Sequence, residues 1–258
     1  MRVIGMFAEE RQREISLILN ENGSVKVNEL SEHFNVSEAT IRRDLQEMDS
    51  KRLLKKTHGG AVKIDITNFE PSFMDKKDER NEEKQSIAKY AASMIKNGDT
   101  IILDSGTTTL ELAKNITSED ITVITNSIDI AAELSNNSGI KLILTGGELR
   151  CRTRAMVGHI CEGMLKDFRV DKAFIGANGV SLTEGVTTPD ITEAQTKKAM
   201  INSANKVILV IDNSKLEKIC LSVMCSITEI STIVTSGDVP REVVNDFIRQ
   251  GIEFIIGK

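Results

Sequence analysis

The chain has 258 residues, 40% of them hydrophobic and 28% charged, with a formal net charge of -5. That balance is ordinary for a globular protein with a sizeable core in one or two domains. A pI near 5.4 excludes a uniformly basic nucleic-acid coat and leaves room for a local basic patch. No segment approaches the roughly 18 consecutive apolar residues of a membrane-spanning helix. The apolar run in the opening MRVIGMF is too short for a secretion signal, so a cytoplasmic protein without a membrane partner is expected. Cys151, Cys161, Cys220 and Cys225 show neither CxxC spacing nor a histidine at metal-finger spacing. They are expected to be buried or idle thiols, with no structural metal and no cofactor.

EERQREISLILNENG (9–23) predicts a first helix with Ile15, Ile18 and Leu19 on one face and Gly23 as its stop. A second helix is predicted from Val27 to Phe34, with Leu30 and Phe34 four residues apart. Asn35 and Val36 then make a tight turn, and Ser37 is the N-cap candidate of a third helix. Two short helices joined this closely form a helix-turn-helix. On the third helix Ile41, Leu45 and Met48 share the inward face. Ala39 and Arg43 point the opposite way, flanked by Thr40, Arg42 and Gln46. Such a face suits a major groove: arginine donates two bonds to guanine, glutamine pairs with adenine, and a small apolar group meets the thymine methyl. KRLLKKTHGGAV (51–62) reads as a β-hairpin wing whose Lys55, Lys56 and His58 lie along phosphates, giving position and salt-dependent affinity without sequence information. The plainer alternative is a solvated, charged helix end; its place directly after a capped third helix favours double-stranded DNA.

Residues 63–80 contain Pro71 and no sustained period, and read as a linker between a DNA-binding domain at 6–62 and an α/β domain at 81–258. The latter opens with an amphipathic helix over 82–97, ended by Gly98, with Ile87, Ala91, Met94 and Ile95 inward. TIILD (100–104) is a short buried strand running into Ser105-Gly106-Thr107-Thr108-Thr109 and a helix. The first N–H groups of a helix lack partners and carry partial positive charge, so this turn is an anion-site candidate; the alternative is simple capping. It has neither GKS/T nor GxGxxG, so it is neither a Walker loop nor a favoured dinucleotide site. ITVIT (121–125), KLILT (141–145), KAFIG (172–176) and KVILVID (206–212) also end on small or polar residues. Apolar runs separated by helices predict a mainly parallel sheet covered on both faces. Ligands of such sheets bind beyond the carboxyl ends of strands, so these ends are expected to converge on one pocket.

ERQREISLILNENG, VNELSEHFNVSEATIRRDLQEMDSKRLL and KKTHGGAV strongly resemble the N-terminus of DeoR-family bacterial repressors. EPSF, LDSGTTTLELA, TNS, TGG, GANG and DNSK resemble the family's C-terminal sensor domain, so the likeness covers nearly the whole chain. The resemblance implies a winged helix-turn-helix followed by a domain similar in fold to ribose-5-phosphate isomerase, with a phosphorylated sugar or related metabolite as effector. Within the family the wording is closest to fructose-operon repressors, which points to fructose 1-phosphate. Family members begin at the position of Met6, so Met1–Gly5 reads as an upstream start. Ser37 is added to the DNA-contacting set.

In the expected pocket Ser105, Gly106, Thr107 and Thr108 hold the phosphate and Lys215 supplies charge. Asp104, Asn126, Asn178 and Glu193 hydrogen-bond sugar hydroxyls, with Gly146, Gly147 and Gly179 at strand ends and Lys197 beside Glu193. Asp104 alternatively caps its turn, and Glu193 and Lys197 alternatively pair with each other at i, i+4. Arg150, Arg152 and Arg154 either close over the anion or form a solvated loop, the reading favoured here. Three functions are open: a ligand-released repressor acting as a dimer or tetramer, a sugar-phosphate isomerase fused to a DNA reader, and a ligand-free DNA-binding protein. The isomerases of this fold have an acidic segment where this chain reads GANGVS, with Asn178 in a carboxylate's place, so a non-enzyme is expected.

Overall fold

The computed structural model describes residues 7–51, 53–62, 72–77 and 79–257, apart from the side chains of residues 20 and 21. The start at Met1–Gly5 or Met6 and the linker stretch 63–71 lie outside the described residues. Two compact units separate at Met1–Phe69 and Glu70–Lys258.

The first unit runs α1 (Ala8–Asn22), β1 (Ser24–Lys26), α2 (Val27–Phe34), α3 (Glu38–Ser50), β2 (Lys55–Lys56) and β3 (Gly60–Val62). α1 stops at Gly23, which is left-handed at φ 72, and its N–H bonds back to the Leu19 carbonyl. Asn35 turns the chain at φ 51, and Ser37 caps α3 by accepting from the Thr40 N–H. Ile15, Leu30, Ile41, Leu45, Met48 and Leu54 form its core, each contributing roughly 1.5–3 kcal/mol by burial. The wing pairs antiparallel, Lys56 opposite Ala61. β1, which sequence periodicity does not reveal, adds a third strand with Val25 opposite Ala61. A Cβ on Gly60 would fall 1.9 Å from the Val25 carbonyl oxygen, so only glycine fits. A buried ion pair, Arg11 Nε to Asp44 Oδ2 at 2.5 Å, ties α1 to the inner side of α3.

The second unit continues with α4 (Phe73–Lys77), α5 (Asn81–Ser93), β4 (Thr100–Leu103), α6 (Thr107–Lys114), β5 (Ile121–Thr125), α7 (Ile128–Leu134) and β6 (Ile140–Leu144). A hairpin of β7 (Glu148–Arg150) and β8 (Ala155–Val157) leads to α8 (His159–Lys166), β9 (Val170–Ile175), β10 (Gly179–Ser181) and β11 (Gly185–Thr188). The chain closes with α9 (Ile191–Asn202), β12 (Ala204–Val210), β13 (Ser222–Cys225), β14 (Thr232–Ser236), α10 (Arg241–Arg249) and β15 (Glu253–Gly257). Seven strands form a fully parallel sheet in the order β15-β14-β12-β9-β4-β5-β6. Apolar clusters cover both faces, as continuous strands such as β4 require.

Three details differ from the sequence expectation. α5 ends at Ser93 rather than near residue 97, because the Lys96 N–H turns away to Asp99 Oδ2 at 2.7 Å. α4 lies inside the stretch read as linker, with Phe73 buried and its N–H on the Arg152 carbonyl at 2.8 Å. A small antiparallel sheet, β10-β11-β13, flanks the large one.

Two outcomes follow from this packing. Asp44→Ala removes the buried carboxylate that pairs with Arg11 and is expected to cost about 3–5 kcal/mol, read by urea unfolding; a loss below 1 kcal/mol would show that the pair holds little. Burial pushes the Cys161 and Cys220 thiols up, and Cys225 to about 12, while Cys151 is exposed. A thiol reagent on the folded protein at about pH 8 is therefore expected to titrate Cys151 alone, and fast reaction of a second thiol would contradict that burial.

Candidate nucleic-acid interface and anion cleft

α3 turns Ala39, Arg42, Arg43 and Gln46 outward, with Thr40 half-buried at its start. Ser37 Oγ meets Thr40 Oγ1 at 2.9 Å, fixing the first turn. Arg42 pairs with Glu38 at 3.2 Å and donates to the His58 carbonyl at 3.4 Å, which joins the helix to the wing turn. Lys56 donates to Gln46 Oε1 at 2.6 Å, and its N–H donates to Asp49 Oδ1 at 3.0 Å. The side chains of Arg43 and Lys55 are exposed and make no hydrogen bond or ion pair among the described residues. One cationic surface thus spans α3 and β2. Its exposed pairs are worth little in water and yield readily to a phosphate or base edge.

The second unit carries a cleft enclosing about 850 Å³, open solvent included, at the carboxyl ends of β4, β9 and β12. The sheet order reverses there: the chain runs outward from β4 to β6, then returns to β9 on β4's other side. That switch point is where a parallel sheet leaves a crevice. Ser105, Gly106, Thr107 and Thr108 line it at the start of α6. The first α6 bond runs from the Leu110 N–H to the Gly106 carbonyl, so the preceding N–H groups have no partner within the helix. Asn178, Glu193, Lys197 and Lys215 also line the cleft.

The remaining expected residues stand behind this surface. Asp104 is fully buried; its Oδ2 accepts from the Gly176 N–H at 3.0 Å and from the Lys197 ammonium. Burial pushes its carboxyl above the ordinary value, with Lys197 and Gly176 opposing. Asn126 is buried: its Oδ1 accepts from the Ser105 N–H and its Nδ2 donates to the Met156 carbonyl, both at 3.0 Å. It braces the anion turn rather than lining the cleft. Gly146 and Gly147 pack toward α8 and β8, where a Cβ on Gly147 would meet the Val157 carbonyl oxygen at 2.5 Å. A Cβ on Gly179 would meet that of Lys218 at 2.5 Å. These three glycines serve close packing and do not line the cleft.

Glu193 and Lys197 do not pair with each other. Lys197 turns to Asp104, and Glu193 accepts from Arg150 at 3.1 Å, which also holds Asp190 at 3.1 Å. Arg154 pairs with Asp129 at 2.7 Å. The arginine-rich hairpin is thus tied down, not a solvated loop, because carboxylates distant in sequence face it.

Sequence reasoning missed Arg80, Lys84 and Asp212, all on the cleft. Lys84 is buried on α5 and donates to the Lys76 carbonyl; burial holds its ammonium below the ordinary lysine value. Burial works against the Asp212 carboxylate, yet Lys215, Ser214 and Arg80 hold it below its usual range. The signal for Lys84 was a lysine three residues before buried Ile87 and four before buried Ala88, on the inward side of an amphipathic helix.

A winged helix with an exposed arginine on its third helix, in one chain with an anion cleft, is the make-up of a ligand-responsive DNA-binding regulator. Residues 11–67 match the DeoR-like helix-turn-helix domain and residues 79–237 the DeoR C-terminal sensor domain. The chain belongs to the DeoR family of transcriptional regulators. It is 34% identical to the HTH-type transcriptional regulator GlpR of Haloferax volcanii over 98% of this chain and 99% of that one. It is 36% identical to a lactose phosphotransferase system repressor of Staphylococcus epidermidis over 89% and 92% of the two chains. Among solved structures, ribose 5-phosphate isomerase A of Methanocaldococcus jannaschii is similar at 22% identity and a TM-score of 0.37, covering 52% of this chain and 53% of that one. A likeness that distant carries no argument about activity. No described helix is long and apolar enough to cross a membrane.

Proposed function

We propose that the chain is a cytoplasmic repressor of a carbohydrate-metabolism operon, released from its operator by a phosphorylated sugar bound in the cleft. The observation that carries this reading is the gathering of Arg80, Lys84, Lys197 and Lys215 around an uncapped helix start and a polar wall. A phosphate belongs at the Ser105–Thr108 turn with Lys215. Asn178 and Glu193 reach sugar hydroxyls. Fructose 1-phosphate is the proposed effector, on the resemblance to fructose-operon repressors. Arg43, Arg42, Gln46, Thr40 and Ala39 read bases, while Ser37, Lys55, Lys56 and His58 hold phosphates. A lone winged helix binds a short site weakly, so a homo-oligomer reading two half-sites is part of the proposal. The proposed domains are 6–62 and 81–258, with α4 joining the sensor, so that the linker read as 63–80 shortens to the residues before α4.

Isomerase activity is disfavoured by two contacts. Glu193, the candidate base, is engaged by Arg150 at 3.1 Å. Asn178 stands where a carboxylate is needed and accepts from Thr188 Oγ1 at 3.2 Å. Both leave proton abstraction without its acidic constellation.

Binding of variants to an operator duplex tests the assignments. Arg43→Ala is expected to cost about 1–3 kcal/mol and to relax sequence preference. Lys55→Ala should weaken all sequences alike and reduce the salt slope by about 1; unchanged operator affinity in Arg43→Ala would refute the groove face. Thr107→Val and Lys215→Ala should bind DNA normally and no longer respond to fructose 1-phosphate. Normal release in both would sink the cleft assignment.

A further inference from the structure

Five described non-glycine residues have positive φ, and of these Arg80 alone lines the cleft. It stands immediately before α5 at φ 50 and ψ 46, a conformation unfavourable for any residue with a Cβ. Such an outlier persists only where its surroundings hold it. The Arg80 carbonyl accepts the first α5 bond, from the Lys84 N–H at 3.1 Å, and its side chain makes one close bond, Arg80 Nη1 donating to Asn213 Oδ1 at 2.8 Å. Its ion pairs are long, 3.8 Å to Asp212 and 3.7 Å to Glu83. One turn on, the buried Lys84 ammonium donates to the Lys76 carbonyl in α4. Both cations therefore make their close bonds to neutral oxygens, although charged acceptors bind them about twice as strongly. Lys215 stands 4.0 Å from Asp212, again without close contact. Asp212 thus faces Arg80, Lys84 and Lys215 together, more positive charge than one carboxylate neutralises, and a dianion entering the cleft would take up the excess.

We propose that Arg80 reports occupancy of the cleft: a phosphate dianion draws its guanidinium off Asn213 and Asp212, and the α4–α5 corner it pins is released. This rests on the effector reading above and adds the residue through which the effector acts. The same dianion competes with the Lys76 carbonyl for Lys84, so the tie of the start of α5 to Asn213 and its tie to α4 loosen together. In chain order α4 is the first described element after residues 63–71, which connect it to the winged helix. A ligand acts at a distance only through an element whose two arrangements it binds differently, and a strained, polar-pinned corner is such an element. Arg80 is in this sense a positioning residue for release as well as a ligand contact.

The test uses the full chain, an operator duplex and fructose 1-phosphate. The coupling factor is the operator Kd with saturating sugar phosphate divided by that without it. Arg80→Gly keeps the backbone conformation, since glycine accepts positive φ, and removes the guanidinium. Its coupling factor is expected to fall about tenfold or more, toward unity, under saturation verified by calorimetry. Asn213→Ala keeps the charge and removes the pin; it is expected to bind fructose 1-phosphate at least as tightly as the parent and to show a reduced coupling factor. Full coupling in saturated Arg80→Gly would overturn the proposal, leaving Arg80 a phosphate contact only. Where Arg80→Gly binds no sugar phosphate, Asn213→Ala decides: reduced coupling supports the relay and full coupling overturns it. A parent protein released by none of fructose 1-phosphate, fructose 6-phosphate or ribose 5-phosphate would refute the effector reading, and the relay with it.

Discussion

Asp104 has no access to water, and its carboxylate meets the Lys197 ammonium across the end of the sheet. Oδ2 also accepts from the Gly176 N–H, and Lys197 donates onward to the Gly176 carbonyl at 3.1 Å. Three elements, β4, β9 and α9, are thereby fixed to one another at the switch point of the sheet. The floor of the cleft is this pair. A buried charge must be paired, because desolvation of an isolated ion costs several kcal/mol. Asp104 thus serves beneath the cleft, and Asn126 beside it keeps the Ser105 N–H engaged. The N–H groups at the start of α6 face the crevice with no helical partner.

The rest of the site is arranged around an excess of positive charge. Arg80 and Lys215 approach Asp212 without closing on it, and Lys84 spends its ammonium on a backbone oxygen. Cations held this loosely have more to gain from a phosphate than from their present partners. The same economy appears on α3 and β2, where the Arg43 and Lys55 side chains have no close partner among the described residues and Arg42 is held at a solvent-exposed edge. Two surfaces of one chain, each with unspent positive charge, suit two polyanions of different size: a duplex and a small phosphate ester.

Much of this was legible in the sequence, because periodicity and punctuation report local structure directly. Ser37, Gly23 and the spacing of Ile41, Leu45 and Met48 define the helix-turn-helix. Five apolar runs ending on polar residues mark five of the seven parallel strands, without β14 and β15, and put Ser105–Thr108, Asn178 and Lys215 on the cleft. What stayed hidden depends on long-range partners. Arg150 is 43 residues from Glu193, and Lys197 is 93 from Asp104, so local i, i+4 pairing named the wrong partners. Gly146, Gly147 and Gly179 end strands as expected, yet the close approach of Val157 and Lys218 explains them better than a ligand does. β1 is three residues with one inward side chain, too little for alternation to register. Arg80 and Lys84 lie beyond the sheet's strand ends in sequence and reach the cleft only because α4 and α5 pack beside it.

The central claim is that a small phosphate ester in the cleft weakens the hold of the winged helix on DNA. Fluorescence anisotropy of a labelled duplex from the region upstream of the protein's own gene tests it most directly. The duplex is first saturated with protein, then fructose 1-phosphate, fructose 6-phosphate, ribose 5-phosphate and unphosphorylated fructose are added in separate runs. Release by a phosphorylated sugar and not by free fructose is the predicted result. Tight binding unmoved by every phosphate ester, or release by free fructose as readily as by its phosphates, would contradict it.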